Sequence, residues 1–265
     1  MKLLLKYIFL LAFLKAPHFI LAQEMEPPPL VTDRPDATEA SSTVGAGVIQ
    51  MELGGFYTSY EENHFKTETF TYNTTLVRYG ILENLEFRLG WNFEETRYTI
   101  SGIDGPDVLS GWSPLLAGAK IDIAQENGLQ PEIAFIGHLF LSFTAGEDYK
   151  PENTGADFRF SLSHTLSEKS SLGYNIGAQW GDDSPEVGYI YTLAYGYSIT
   201  NTFGAYAEVY GDIPENNQAN HYWDAGLTYL INPNLQLDAT LGRSFTKGQD
   251  ILISAGISYR VLKRK

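Results

Sequence analysis

Between Val48 and Val261 the chain alternates apolar and polar residues with a period of two, in runs separated by turn-forming residues. The clearest unit is His221 to Ser244. Trp223, Ala225, Leu227, Tyr229 and Ile231 alternate with Asp224, Gly226 and Thr228, and after Asn232, Pro233 and Asn234 the alternation restarts with Leu235, Leu237, Ala239 and Leu241. An amphipathic helix repeats every 3.6 residues and cannot give this pattern, so the segment predicts two strands and a tight turn. One face is apolar along its whole length with aromatics at its ends, and the other is small, polar or charged. That is how a strand reads when lipid lies on one side and a wet interior on the other.

Twelve such runs follow one another, near residues 48–60, 65–79, 85–98, 114–124, 131–143, 155–166, 172–181, 187–199, 202–211, 221–231, 235–245 and 251–261. Their connections alternate between acidic loops such as SGIDGPDVLSGWSP and TAGEDYKPENTG and tight turns such as LEN, ENG, SEKSS, TN and NPN. The expected fold is therefore all-β, an antiparallel transmembrane barrel of about twelve strands with long outer loops and short inner turns. With the first strand rising from the short-turn side, Trp91, Trp112, Trp180 and Trp223 all fall at the outer end. Tyr79, Tyr174, Tyr197, Tyr229 and Tyr259 then fall at the other, as two interfacial girdles would.

Composition narrows the class. Cysteine is absent, which removes disulfides, Cys-ligated zinc and a lipidated N-terminal cysteine. Residues 1–22, MKLLLKYIFLLAFLKAPHFILA, read as a secretory signal, and their removal takes three lysines, moving the formal charge from −14 to −17. So acidic a chain argues against nucleic acid as a partner. The outer connections hold fourteen Asp or Glu against three Lys, which suits solvation or divalent cations bridged to lipid headgroups. Residues 23–47 differ from the rest, with Pro27 to Pro29 and TDRPDATEASS but little periodicity. They read as an arm, either a solvated periplasmic tether or a segment folded into the lumen mouth, with Asp33, Arg34 and Asp36 as the candidate plug residues. Residues 48–265 form the barrel.

The parity opposite to the apolar set turns Gln50, Glu52, Glu86, Arg88, Lys120 and Asp122 into the lumen, followed by Asp157, Arg159, Glu208, Asp224, Asp238 and Arg260. Both signs are present, so these groups either pair across the lumen or line a conductive path. Arg34 is expected to find a lumen carboxylate such as Glu52 or Asp238, and Asp33 or Asp36 a lumen cation.

Catalysis has little footing. His64, His138, His164 and His221 are scattered, and His138 and Ser142, on one face, are about 13 Å apart at the rise of a strand. A barrel lipase needs that pair in hydrogen-bond contact, so no enzyme, catalytic residue, cofactor or metal site is expected.

The stretch LVTDRPDATEASSTVGAGVIQMELGGFYTSYEE, with YGILENLEFRLGWNFEE and WDAGLTYLINPNLQLDATLG, resembles the outer-membrane β-barrel family described as transporters of the meta-pathway of phenol degradation. The resemblance implies a channel-like protein passing aromatic or other small molecules without catalytic residues, located in the outer membrane of a Gram-negative bacterium. Its partners would be membrane lipid, the small-molecule solute and the barrel-assembly machinery. One departure is the end of the chain, where Arg260 to Lys265 follow Tyr259 in place of a terminal aromatic. A surface protein without transport is the alternative.

Overall fold

The computed structural model describes residues 30–181, 186–245 and 248–262. The signal segment 1–22 and the first part of the arm, 23–29, lie outside them. Thirteen strands are formed: β1 (Ile49–Glu62), β2 (Phe65–Leu82), β3 (Leu85–Ile100), β4 (Ile103–Trp112), β5 (Leu115–Ala124), β6 (Glu132–Leu141), β7 (Gly155–Ser167), β8 (Ser170–Trp180), β9 (Val187–Ser198), β10 (Phe203–Pro214), β11 (Asn220–Asn232), β12 (Leu235–Ser244) and β13 (Gln249–Val261). Every strand runs antiparallel to its neighbours, and β1 pairs with both β2 and β13, as at Gln50, which lies opposite Arg78 and Arg260. The sheet thus closes on itself, as backbone groups facing lipid require.

Thirteen strands make twelve traverses. The inner half of β3, Leu85 to Gly90, pairs with β5, while its outer half, Phe93 to Ile100, pairs with β4. β4 and β5 are two pieces of one traverse, parted at Ser113 and Pro114, where proline has no N–H to give the ladder. Residues 101–113, which read as an acidic outer loop, are mostly strand. Ser101 and Gly102 both have positive φ, 51° and 80°, as a two-residue hairpin turn requires. The turn was hard to see because its first residue is a serine. A loop with two single-turn 3-10 helices, Ser142–Thr144 and Glu147–Tyr149, covers the free side of β4. Gly146 N donates to Trp112 O at 2.8 Å and Ser110 N to Asp148 Oδ2 at 2.9 Å.

Burial is inverted relative to a soluble protein. Arg78 and Lys120 are 0% exposed, whereas Ile176 is 56% and Leu241 53% exposed. Such an apolar exterior is stable only against lipid. Trp180 ends β8 at the outer side, Trp223 stands near the outer start of β11, and Trp112 ends β4 lower down, opposite Phe93 of β3 and just above the break at Ser113 and Pro114. Tyr79, Tyr197, Tyr229 and Tyr259 stand outward, 44–48% exposed, near the short turns. The two girdles follow from the alternation itself, since aromatics of one parity must point out.

Candidate functional site

The inner halves of the strands carry a dense polar set, and the turn at Glu83 and Asn84 fixes its centre. That turn places Arg78 directly opposite Arg88, while Glu86 faces Lys120 across β3 and β5. Three buried cations side by side need carboxylates. The wall supplies Glu86, whose Oε1 lies 2.9 Å from Arg78 Nε, and Glu52, whose Oε1 lies 3.2 Å from Arg78 Nη1.

The arm supplies the rest. Asp33 Oδ2 lies 2.6 Å from Arg88 Nη1 and 3.2 Å from Arg78 Nη1, and its Oδ1 lies 3.0 Å from Lys120 Nζ. Burial pushes the Asp33 carboxyl up, but Arg78, Lys120 and Arg88 outweigh it and hold the group well below the usual carboxylate range. Asp33 N donates to Glu52 Oε2 at 2.9 Å, so backbone and side chain are fixed together. Behind Arg88, His138 Nε2 accepts from Arg88 Nε at 3.0 Å. Because arginine can only donate, the His138 proton sits on Nδ1, donated to Asp157 Oδ1 at 2.8 Å.

Arg34 occupies a second seat. Its guanidinium donates to Asp238 Oδ1 and Ser254 Oγ, both at 2.9 Å, and to Thr74 Oγ1 at 3.2 Å. The seat exists because Gly54 and Gly256 are cross-strand partners, and a Cβ on either would strike the guanidinium. The ring of Phe56 lies 5.1 Å from Arg34 Cζ.

Beyond Pro35 the arm crosses to the far wall. Ala37 N donates to Glu208 Oε2 at 2.7 Å, and Thr38 Oγ1 donates to Glu208. Glu39 N donates to Asn175 Oδ1 at 2.7 Å, and Ser41 Oγ contacts Ser163 Oγ at 2.8 Å and Glu132. Returning to β1, Val44 N donates to Glu86 Oε2 at 2.9 Å and Gly47 N to Gly80 O at 2.8 Å. At Gly80 any side chain would meet Gly45 O, so the crossing depends on that glycine.

Residues Arg34, Pro35 and Asp36 line two cavities, one on each side of the arm. The outer one, about 330 Å³, has an apolar wall of Phe56, Leu76, Trp91, Leu116 and Phe140. The inner one, about 340 Å³, opens among the short turns and is lined by hydroxyls, including Thr165, Ser167, Ser171, Ser198 and Thr228. Arg34, Arg88, Glu39 and Glu52 beside the outer cavity are engaged with partners, so that cavity offers mainly shape and hydrogen bonds.

The structure distributes the expected lumen residues as follows. Gln50, Glu52, Glu86, Arg88, Lys120, Asp157, Glu208, Asp224 and Asp238 are buried facing the interior. Arg260 is buried too, but at the rim, donating to Asn234 Oδ1 at 3.1 Å and Pro233 O at 3.0 Å. Arg159 is half-buried, 3.3 Å from Asp157 Oδ2. Asp122 stands half-buried at the inner rim beside Gln125. Asp36 forms no ion pair among the described residues. Burial and the neighbouring Glu208 and Asp224 push its carboxyl well above the usual range.

Sequence reasoning missed Arg78, Asn175 and Glu132. The signal for Arg78 was register: it shares the inward parity of Thr74 and Leu76 and stands opposite Gln50.

The family model described as MetA-pathway of phenol degradation matches residues 32–261. No curated protein matches the chain by sequence. Among solved structures, the chain is similar to an outer-membrane channel from Pseudomonas putida F1, with TM-score 0.69 and 12% identity over 87% of this chain and 100% of that one. The NanC porin gives TM-score 0.52 and 10% identity, covering 80% of this chain and 100% of that one. The KdgM porin gives TM-score 0.50 and 9% identity, covering 79% and 98%. At these identities the likeness is one of fold: the chain has the fold of outer-membrane β-barrels.

Proposed function

Since the chain belongs to the family described as MetA-pathway of phenol degradation, we propose that it is an outer-membrane channel for small molecules, closed at rest by its own arm. The observation that carries this reading is the pair of cavities that meet at Arg34, Pro35 and Asp36. A solute entering from outside would rest against Phe56, Leu76, Leu116 and Phe140, and would reach the hydroxyl-lined inner cavity only if the arm moved. Neutral aromatic or apolar solutes suit the outer cavity best, because Arg34, Arg88, Glu39 and Glu52 there are already paired. The likeness in fold to the outer-membrane channel from Pseudomonas putida F1 supports the reading.

We assign no catalytic step. Both ring nitrogens of His138 are engaged, Nε2 with Arg88 and Nδ1 with Asp157. The membrane-facing surface of β13, with Ile253, Ile257, Tyr259 and Val261 outward, is the segment we expect the barrel-assembly machinery to bind.

The test is conductance of the purified full chain and of a chain lacking residues 30–40, each in a planar bilayer. A larger or steadier conductance after deletion is expected. Unchanged conductance with normal assembly would remove the closure by the arm, and no conductance from either would remove the channel.

A further inference from the structure

β10 and β11 set Glu208 and Asp224 directly opposite each other, both inward and buried. Carboxylates so placed repel. The arm adds a third, Asp36, kept there because the next two residues, Ala37 and Thr38, hydrogen-bond Glu208.

The other charged or titratable groups around this corner are shared with further partners. On β10 the Tyr206 hydroxyl lies between Thr240 Oγ1, at 2.8 Å, and the Asp224 carboxyl, and on β7 Arg159 pairs with Asp157, reaches Ala37 O at 3.5 Å and presents its charge to Glu208 from a distance. On the arm Arg34 is committed to Asp238 of β12, and Asp33 to Arg78, Arg88 and Lys120. Asp224 is 3% exposed, and its Oδ1 has no hydrogen-bond partner among the described residues. A buried acceptor without a donor is costly, and a charged one more so. A proton removes the cost. A metal ion is the poorer answer, because among the described residues no group of three His, Cys, Asp or Glu is arranged to hold one.

We propose that Asp36, Glu208 and Asp224 form a proton-binding clasp that keeps the arm seated, and that losing its protons as pH rises frees Asp36 to Thr38 from β10 and widens the passage. This rests on the arm being the closure. The raised position of the Asp36 carboxyl agrees with it: burial and Glu208 disfavour its charge. Asp33 does not compete, since its carboxyl is held on the other side of the usual range.

The test uses the full chain, which has no native cysteine, with Ala40→Cys carrying a spin label on the arm. Label mobility and bilayer conductance are followed from about pH 5 to about pH 9, a span that brackets raised carboxyls. Both should rise with pH, by up to about tenfold per pH unit for each proton released. Asp36→Asn and Asp224→Asn should each flatten the rise. Where Asp224→Asn does not assemble, Asp36→Asn, which leaves the wall intact, decides. Flat label mobility in the parent, or an undiminished rise in Asp36→Asn, would overturn the clasp. Mobility that rises without any conductance would leave the clasp standing and remove the channel.

Discussion

Arg34 Nη2 lies 2.9 Å from Asp238 Oδ1, over the cross-strand pair Gly54 and Gly256. The contact joins residues 204 positions apart, and it can form only where two glycines on neighbouring strands leave a notch. Replacing Gly256 with leucine should therefore expel the guanidinium while leaving the β1–β13 ladder intact. The expected result is a barrel that assembles normally yet conducts more than the parent; equal conductance would mean that the arm holds without this seat.

Asp33 neutralises three buried cations at once. Asp33→Asn keeps the shape and removes the charge, and stranding buried charge in this way costs about 3–5 kcal/mol. The predicted outcome is a clear fall in the urea midpoint for loss of arm protection, measured by proteolysis of the folded barrel. An unchanged midpoint would show the cations to be satisfied without the arm.

Charge reversal should separate the centre of the network from its edge. Arg88→Glu faces Asp33, Glu39 and Glu86 with a like charge in a buried place, whereas Arg159→Glu alters a half-buried group with one partner at 3.3 Å. The first is expected to abolish assembly or cut its yield several-fold, and the second to cost about 1 kcal/mol, near the surface-pair range. Asp182, in an outer connection, lies outside the described residues, and Asp182→Lys is expected to change neither yield nor conductance. Heat-modifiability gels on the three variants give the ranking.

The acid side of the pH profile follows from Asp33. Its folded carboxyl lies below the unfolded value of 3.8, so its contribution is present in full above that pH. It is lost only as pH falls from there toward the depressed folded value. Spin-label mobility on the arm, lowest in mildly acid solution where the clasp holds its protons, should rise again on further acidification only below the usual carboxylate range. A rise already in mildly acid solution would contradict the ion-pair geometry.

Much of this architecture was legible because a strand with lipid outside carries its orientation in every second residue. The alternation of His221 to Ser244 gave both the hairpin and its inward set. The asymmetry of the turns gave the ends, and parity alone named Glu52, Glu86, Arg88, Lys120 and Asp238 as inward groups. What parity cannot give is the partner across an interior. Arg78 opposite Arg88 is balanced only in part by Glu52 and Glu86 of the wall, and Asp33 and Glu39 of the arm complete it. The β4 hairpin was hidden for a local reason: its acidic, glycine-containing run looks like a loop, and its turn depends on Ser101 accepting a left-handed backbone. Asp36, expected among candidates for a cation partner, sits instead against two carboxylates, a placement no one-dimensional pattern announces.

The arm touches eleven of the thirteen strands, from Glu52 on β1 through Lys120, Glu132, Asn175 and Glu208 to Asp238 and Ser254 on β12 and β13. Its binding surface is therefore not a patch on any hairpin but the whole circumference, and no fragment of the wall can recognise it. During biogenesis the segment made first is left without a home until the last strand has joined the first. The full set of arm contacts therefore exists only on a barrel with this strand number and stagger.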